Sequence, residues 1–359
     1  MRRAVGYVLV GLGAFLLALA PLAKWYVAPR VAIAPIGCTG ASSAICQDRV
    51  NLSPSSGTAT TLFDPATLTS SSNVPLVAME RVRADVAASH GADNRTVYDE
   101  SQTVSRAAGG LVVADTMRIP FNGQTSQMIS CCNGNVDGTA IADYSGINPL
   151  KFGFDVQKKT YLYFDRTLNK ATPMLFQDVE TIDGVQVYKF VQTIAPTQIG
   201  TLEVPGNLVG ATDASVVAPE FYANVRTVWV EPVTGAIVKG SEQQKQTLRG
   251  SDGTDKLSLI EATLTFTDAN IKASASGAKD AASKLGLVQT TIPIVGVVLG
   301  LVLLLLGLFL AFGGSRQRPV RAASPPPPPA PSPPLAPGPP PARTAPAAPA
   351  VPPAPAEDV

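Results

Sequence analysis

One histidine and four cysteines carry most of the nucleophile chemistry this chain could do. His90 stands in "ASHGADN", a loop by composition. A Ser-His or Cys-His pair would have to run through it. The stretch "NVDGTAIAD" lacks the alternating acidic ligands and terminal Glu of a calcium loop. "GLGAF" and "GNVDG" do not follow a strand and open a helix, so neither cradles a phosphate. Acidic residues such as Asp178, Glu180 and Asp183 are scattered, and a carboxylate pair made in space leaves no linear trace. The residues therefore predict no catalytic, cofactor-binding or metal site, and no enzyme.

Cys38, Cys46, Cys131 and Cys132 are candidates for disulfides. "CTGASSAIC" could close a small loop between Cys38 and Cys46. Cys131 and Cys132 could then form a vicinal bridge, or each could reach one of the early pair. No CxxC spacing supports zinc.

Two elements must position whatever lies between them. Ala4 to Ala23 runs for 20 residues without charge, after Arg2 and Arg3. That is bilayer-spanning length for a helix. "ALA" at Ala18 to Ala20 imitates a signal-peptide cleavage site, but Pro21 follows it and the run is long for a signal. A retained anchor over residues 4–23 is the expectation. Trp25 and Tyr26 fit an interfacial aromatic belt. Ile292 to Phe312 is a second uncharged run of 21 residues, with Arg316, Arg318 and Arg321 behind it. Arginines flank the outward end of each span, so both termini (residues 1–3 and the tail) are expected in the cytoplasm. The segment between the spans is then extracytoplasmic, held at the plasma membrane by both ends. Neither span carries an ionisable residue, which argues against a proton or transport path through them.

The composition fits this division. The formal net charge is +1, with 28 basic and 27 acidic residues, and so gives no basic excess for nucleic acid. Of 32 prolines, 18 follow Gly314. Residues 315–359 cannot bury a core and are expected to be extended or disordered, a proline-rich cytoplasmic tail.

Between the spans the pattern is β. Val31 to Ser72 is rich in Ser, Thr, Gly and Pro and reads as irregular. Strand signals start near Pro75. Helix and strand are hard to separate in "VPLVAMERVRADVAAS", while "NRTVYDESQTVSR" and "LVVADTMRIPF" read as strands. "KTYLYFD" is a strand, and Asp183-Gly184 between two β-rich runs is a strong hairpin signal. After it, Val185, Val187 and Val191 share one face, with Tyr188 and Phe190 on the other. A sheet apolar on both faces is covered on both sides, and these five residues are the candidate lining of an apolar ligand site. "RTVWVEPVTGAIVKGSEQQKQTL" is a further hairpin, with Pro232 and Gly235 in its turn. "KLSLIEATLTFTD" is another strand. The period then changes: Ile271, Ala275, Ala278, Ala282 and Leu285 recur at helical spacing. The expected fold is thus a membrane-anchored α+β protein: a mostly antiparallel β extracytoplasmic domain over 28–267, a juxtamembrane helix over 268–290 and transmembrane helices over 4–23 and 292–312.

"GINPLKFGFDVQKKTYLYFDRTL", "FQDVETIDGVQVYKFVQTI" and "RTVWVEPVTGAIVKGSEQ", set between two spans, resemble an actinobacterial membrane family called the porin PorA family. The resemblance covers roughly Arg2 to Phe312. It departs at "RIPFNGQTSQ", where an Asp-Arg-x-Thr-Gly type of turn is expected and Asn122-Gly123 stands instead. The resemblance implies an actinobacterial cell-envelope location and transfers no catalytic residue. A membrane β-barrel needs repeated segments of about ten residues with an apolar outer face, and the strands here do not repeat in that way. The expected activity is binding or scaffolding in the envelope. A carrier or sensor of a lipid is the alternative and a pore the less favoured one. The expected partners are the bilayer and an envelope lipid or protein.

Overall fold

The structure is a computed structural model that describes residues 2–35, 51–89 and 94–313. His90, Cys38, Cys46 and the proline-rich tail lie outside the described residues.

The central element is an antiparallel sheet of twelve strands, curved into a half-barrel. Its order is β6-β5-β4-β3-β2-β1-β12-β11-β10-β9-β8-β7. The strands are β1 Asn51–Asp64, β2 Thr69–Ala84, β3 Arg95–Arg106, β4 Leu111–Asn122, β5 Asn135–Val136, β6 Thr139–Ala140, β7 Tyr161–Asp165, β8 Lys170–Ile182, β9 Val185–Pro205, β10 Ser215–Val230, β11 Ile237–Arg249 and β12 Asp255–Phe266. The long strands pair with sequence neighbours, as hairpin folding favours, except that β12 returns to lie beside β1. Short bridges carry the ladder from β4 round to β7. Phe121 pairs with Met128, Gln127 with Ile147, and Ile147 with Tyr163. The Ile147 N–H donates to the Leu162 carbonyl at 2.7 Å. Main-chain groups that an open edge would leave unpaired are satisfied there.

β1 corrects the sequence reading. The run from Val31 to Ser72 was expected to be irregular, yet Asn51–Asp64 is a central strand. Its small side chains are the reason. At Gly57 a Cβ would collide with the Thr263 carbonyl of β12. A residue poor in strand propensity is therefore the one that lets two central strands approach.

Asp183 and Gly184 form the expected turn, with φ of 47° and 75°, as a two-residue hairpin loop requires. In the β10–β11 turn, Gly235 has φ 73°, and the Glu231 carboxylate accepts from the Val233 N–H at 2.9 Å and the Thr234 N–H at 2.8 Å.

Helix α1, Arg2–Val31, precedes the sheet. After it come α2 (Val86–Ser89), α3 (Asp268–Gly286), a π-helical turn (Leu287–Thr291) and α4 (Ile292–Phe312). The Thr267 hydroxyl caps α3, accepting from the Asn270 N–H at 3.2 Å, a contact worth about 1 kcal/mol. Ala275 and Ala278 of α3 pack on Val185, Val187, Trp229 and Val238 of the sheet.

α1 and α4 are both long and apolar enough to cross a membrane. They pack antiparallel along a stripe of small residues: Gly6, Gly13 and Ala20 on α1, Gly300 and Gly307 on α4. A Cβ on Gly13 would lie 2.7 Å from both the Gly300 carbonyl and the Leu304 N–H nitrogen. The seven-residue spacing of Gly6, Gly13 and Ala20 keeps one face of the helix on its partner, and small residues let the backbones touch, as in helix pairs within lipid. The large side chains, such as Val8, Phe15, Leu305 and Phe309, point outward. Arg2 and Gly313 therefore lie at the same end of the pair.

Candidate functional site: a charged chamber inside the half-barrel

The concave face of the sheet encloses a cavity of about 680 Å³. Its walls follow from strand alternation. In β2, Ala78 and Glu80 point inward; in β3, Gln102 and Val104; in β10, Tyr222, Arg226 and Val228; in β11, Glu242, Gln244 and Gln246; in β12, Ala262, Leu264 and Phe266. One end is filled. Phe152 packs on Phe190, Tyr161 and Tyr163, with ring centroids 5.0, 5.2 and 5.8 Å apart. This aromatic plug lies on the side of α1, because Tyr161 also borders the space around Lys24 and Trp25. In the opposite half Ala78, Val104, Ile260 and Ala262 form one apolar cluster, with Gln244 and Gln246 facing inward beside Ala262 and Ile260.

Between the plug and this cluster runs a layer of charge. Arg226 is its hub. Its Nη1 donates to Asp165 Oδ2 at 2.9 Å and to Gln192 Oε1 at 2.5 Å, and its Nε donates to Glu242 Oε1 at 2.5 Å. Tyr222 Oη donates to the same Asp165 oxygen at 3.2 Å. Arg166, from the turn after β7, donates through Nη2 to Glu100 Oε1 at 2.6 Å. The second Glu100 oxygen, Oε2, and Arg166 Nη1 have no hydrogen-bond partner among the described residues.

The electrostatics follow from that crowding. Burial, then the Glu100 and Glu242 charges, push Glu80 up to about 7, against the pull of Arg166 and Arg226. Its remaining accessible surface faces the cavity it lines. Burial also raises Glu100, opposed by Arg166. Burial raises Asp115, with Asp137 adding to the effect. Burial alone would raise Glu242, but Arg226 beside it holds it below the usual carboxylate range. No three His, Cys, Asp or Glu side chains among the described residues converge to hold a metal ion.

A family model described as Porin PorA matches residues 5–309. The chain belongs to the Porin PorA family. Two relatives named Porin PorA come from Corynebacterium. The one from Corynebacterium amycolatum is 34% identical over 119 residues, covering 26% of this chain and 31% of its own. The one from Corynebacterium resistens is 26% identical over 238 residues, covering 48% of this chain and 57% of its own. The chain thus spans from a third to just over half the length of these relatives. A putative lipoprotein from Parabacteroides distasonis is matched at a TM-score of 0.19 and 7% identity, over 61% of this chain and 94% of that one, too low to carry an argument.

In this Porin PorA chain the expected apolar ligand face is not the chamber wall. Val185 and Val187 are covered by α3. Phe190 is fully buried in the aromatic plug, Tyr188 packs edge-on against Phe176, and Val191 is half-buried. Both faces of β9 are apolar because the helix covers Val185 and Val187 and the plug takes up Phe190. Cys131 and Cys132 lie together in the turn after β4, with their sulfurs facing each other as a vicinal pair. The Arg118 Nε donates to the Cys132 carbonyl at 2.8 Å. Asp178, Glu180 and Asp183 do not line the chamber: Glu180 accepts from Trp229 Nε1 at 2.8 Å and pairs with Lys189.

Glu80, Glu100, Arg166, Arg226 and Glu242 were missed. Their signal is an ionisable residue at an inward position of an otherwise β-patterned run, such as Glu80 between Ala78 and Val82.

Proposed function

We propose that this chain is an envelope protein anchored in the plasma membrane by α1 and α4, whose extracytoplasmic half-barrel binds an amphiphilic ligand without catalysis. The observation that carries this reading is the chamber of about 680 Å³ in the centre of the sheet, within the range of small-molecule sites. A scaffold would need only a filled core. The walls match a ligand with polar groups along β11, where Glu242, Gln244 and Gln246 face inward, and apolar groups along β12 and β3, where Ala262, Leu264 and Val104 do.

A pore is favoured by the family's name alone. Two observations weigh against it. Phe152, Tyr163 and Phe190 fill the end of the chamber near α1. The outward positions of the sheet include Arg81, Arg83, Gln243 and Lys245, which would be costly in lipid.

Native mass spectrometry of the full chain, purified from an actinobacterial host, tests the binding reading. We expect a mass excess that organic extraction removes and that Ala262→Trp, which fills the chamber, abolishes. An apo mass for the unsubstituted chain, or an excess that Ala262→Trp leaves unchanged, would overturn it.

A further inference from the structure

A second cavity lies outside the half-barrel, where α1 leaves its apolar run. Its volume is about 540 Å³, within the range of small-molecule sites. Lys24, Trp25 and Pro29 of α1 form one wall, Phe154 and Lys159 of the loop before β7 another, and Gln289, in the π-helical turn before α4, borders it too. Hydrogen bonds fix these walls: Gln124 Nε2 donates to the Pro29 carbonyl, and the Phe154 N–H to the Gln124 carbonyl, each at 3.0 Å. Lys24 directly follows the uncharged run of α1, and Gln289 precedes Ile292 by three residues. At about 1.5 Å of rise per residue, both stand within about 5 Å of the ends of the apolar runs. A headgroup layer is roughly 5–7 Å deep on each side of the hydrocarbon. In a protein anchored by α1 and α4, the groove therefore lies at headgroup depth. Trp25, beside it, is 73% exposed, as an interfacial ring is.

The charged groups of the groove have open valences. Lys24 makes no hydrogen bond or ion pair among the described residues. Nor does the Lys159 ammonium, which lies 5.2 Å from the centroid of the Tyr161 ring. Asp155 also lines the groove, and its carboxylate too has no hydrogen bond or ion pair among the described residues. Two ammoniums against one carboxylate leave one positive charge. We propose that the groove holds the headgroup of an anionic phospholipid that bears hydroxyls, its phosphate accepting from Lys24 and Lys159 and a hydroxyl donating to Asp155. One phosphodiester carries the single negative charge that balances the groove. An ethanolamine headgroup could donate to Asp155, but it is neutral overall and leaves the excess unmatched. A choline headgroup is neutral and has no N–H to donate.

This proposal rests on α1 and α4 anchoring the chain in the bilayer, and one experiment separates the two. The full chain is reconstituted into nanodiscs of equal parts phosphatidylglycerol, phosphatidylethanolamine and phosphatidylcholine. It is run with and without Ala262→Trp, which subtracts lipid held in the chamber. Lipids that stay on the chain after the disc is stripped away are counted by native mass spectrometry. We expect phosphatidylglycerol to be retained, independently of Ala262→Trp, at least about fivefold over each of the other two. Lys24→Gln with Lys159→Gln should lower that retention by about tenfold or more, since two ammoniums near the surface are lost. Both lysines are exposed, so the fold tolerates the change. Lys245→Gln with Lys256→Gln removes the same charge from β11 and β12, outside the groove, and should leave retention unchanged. Equal retention of the three lipids, a preference for phosphatidylethanolamine, or phosphatidylglycerol retention that survives Lys24→Gln with Lys159→Gln would overturn the headgroup site and leave the anchoring standing. A chain that stays outside the nanodiscs would overturn both.

Discussion

Arg226 on β10 donates to Asp165 at the end of β7, 61 residues away in sequence, at 2.9 Å. Both are buried, at 8% and 0% exposed. The pair ties β7, at the end of the strand order, to β10, three strands in. Truncating one member strands the other in a medium that solvates charge poorly. Arg226→Met should therefore cost about 3–5 kcal/mol of unfolding free energy. Denaturant titration measures it, and a loss below about 1 kcal/mol would mean that the pair behaves as a solvated surface bridge.

Glu80 makes stability fall as pH rises. Its folded value is raised to about 7 from an ordinary 4.5. A carboxyl whose value is raised on folding holds its proton longer in the native state, so the native state binds more protons between those two values. The contribution is fully present below about pH 4.5 and is lost as pH rises through about 7. The charges facing Glu80 are Glu100 on β3, Glu242 on β11, Arg166 in the turn after β7 and Arg226 on β10. Glu242 is shifted the other way, so the total profile mixes signs, and the difference between the unsubstituted chain and Glu80→Gln isolates the effect. Melting temperatures of the two should diverge from pH 4.5 to 7.5, with Glu80→Gln relatively more stable at the high end. Parallel curves would contradict the assignment.

The two apolar helices make a sharp internal control. Gly13→Leu should separate α1 from α4, because its Cβ would meet the Gly300 and Leu304 backbone. Gly11→Leu, two residues away, has open space within 4 Å and should be neutral. Thermal unfolding in nanodiscs distinguishes them. Equal effects would mean that the helices do not pack through the small-residue stripe.

Gly57→Val should block the β1–β12 pairing, since the Thr263 carbonyl occupies the space a side chain needs. Gly277 on α3 faces nothing within 4 Å, and Gly277→Ala should be neutral or gain up to about 1 kcal/mol from helix propensity. Soluble expression with native-like circular dichroism for Gly57→Val would show that the two central strands can part.

Much of the architecture was legible because its signals are local. The Asp183-Gly184 turn needs only its own two residues. The helical spacing of Ala275, Ala278 and Leu285 needs only one turn's memory, and the two apolar runs need only length. The chamber was not legible for the opposite reason. Glu80, Glu100, Arg166, Arg226 and Glu242 come from distant segments and meet only when β12 closes on β1. β1 was missed because its Ser, Thr, Gly and Pro residues suit a crowded sheet centre while resembling a loop. The apolar face around Tyr188 and Phe190 was a true signal of burial. Its apolar partners are α3 and the aromatic plug, neither visible in the strand itself.

The most direct measurement of the central claim is a density map of the full chain in lipid nanodiscs, purified from its natural type of host without added ligand. We expect continuous non-protein density inside the half-barrel, with one side along Glu242 and Gln244 and the other along Ala262 and Leu264, and an intact plug of Phe152, Tyr163 and Phe190. A chamber collapsed and filled by its own side chains would contradict it. So would an open passage through the plug.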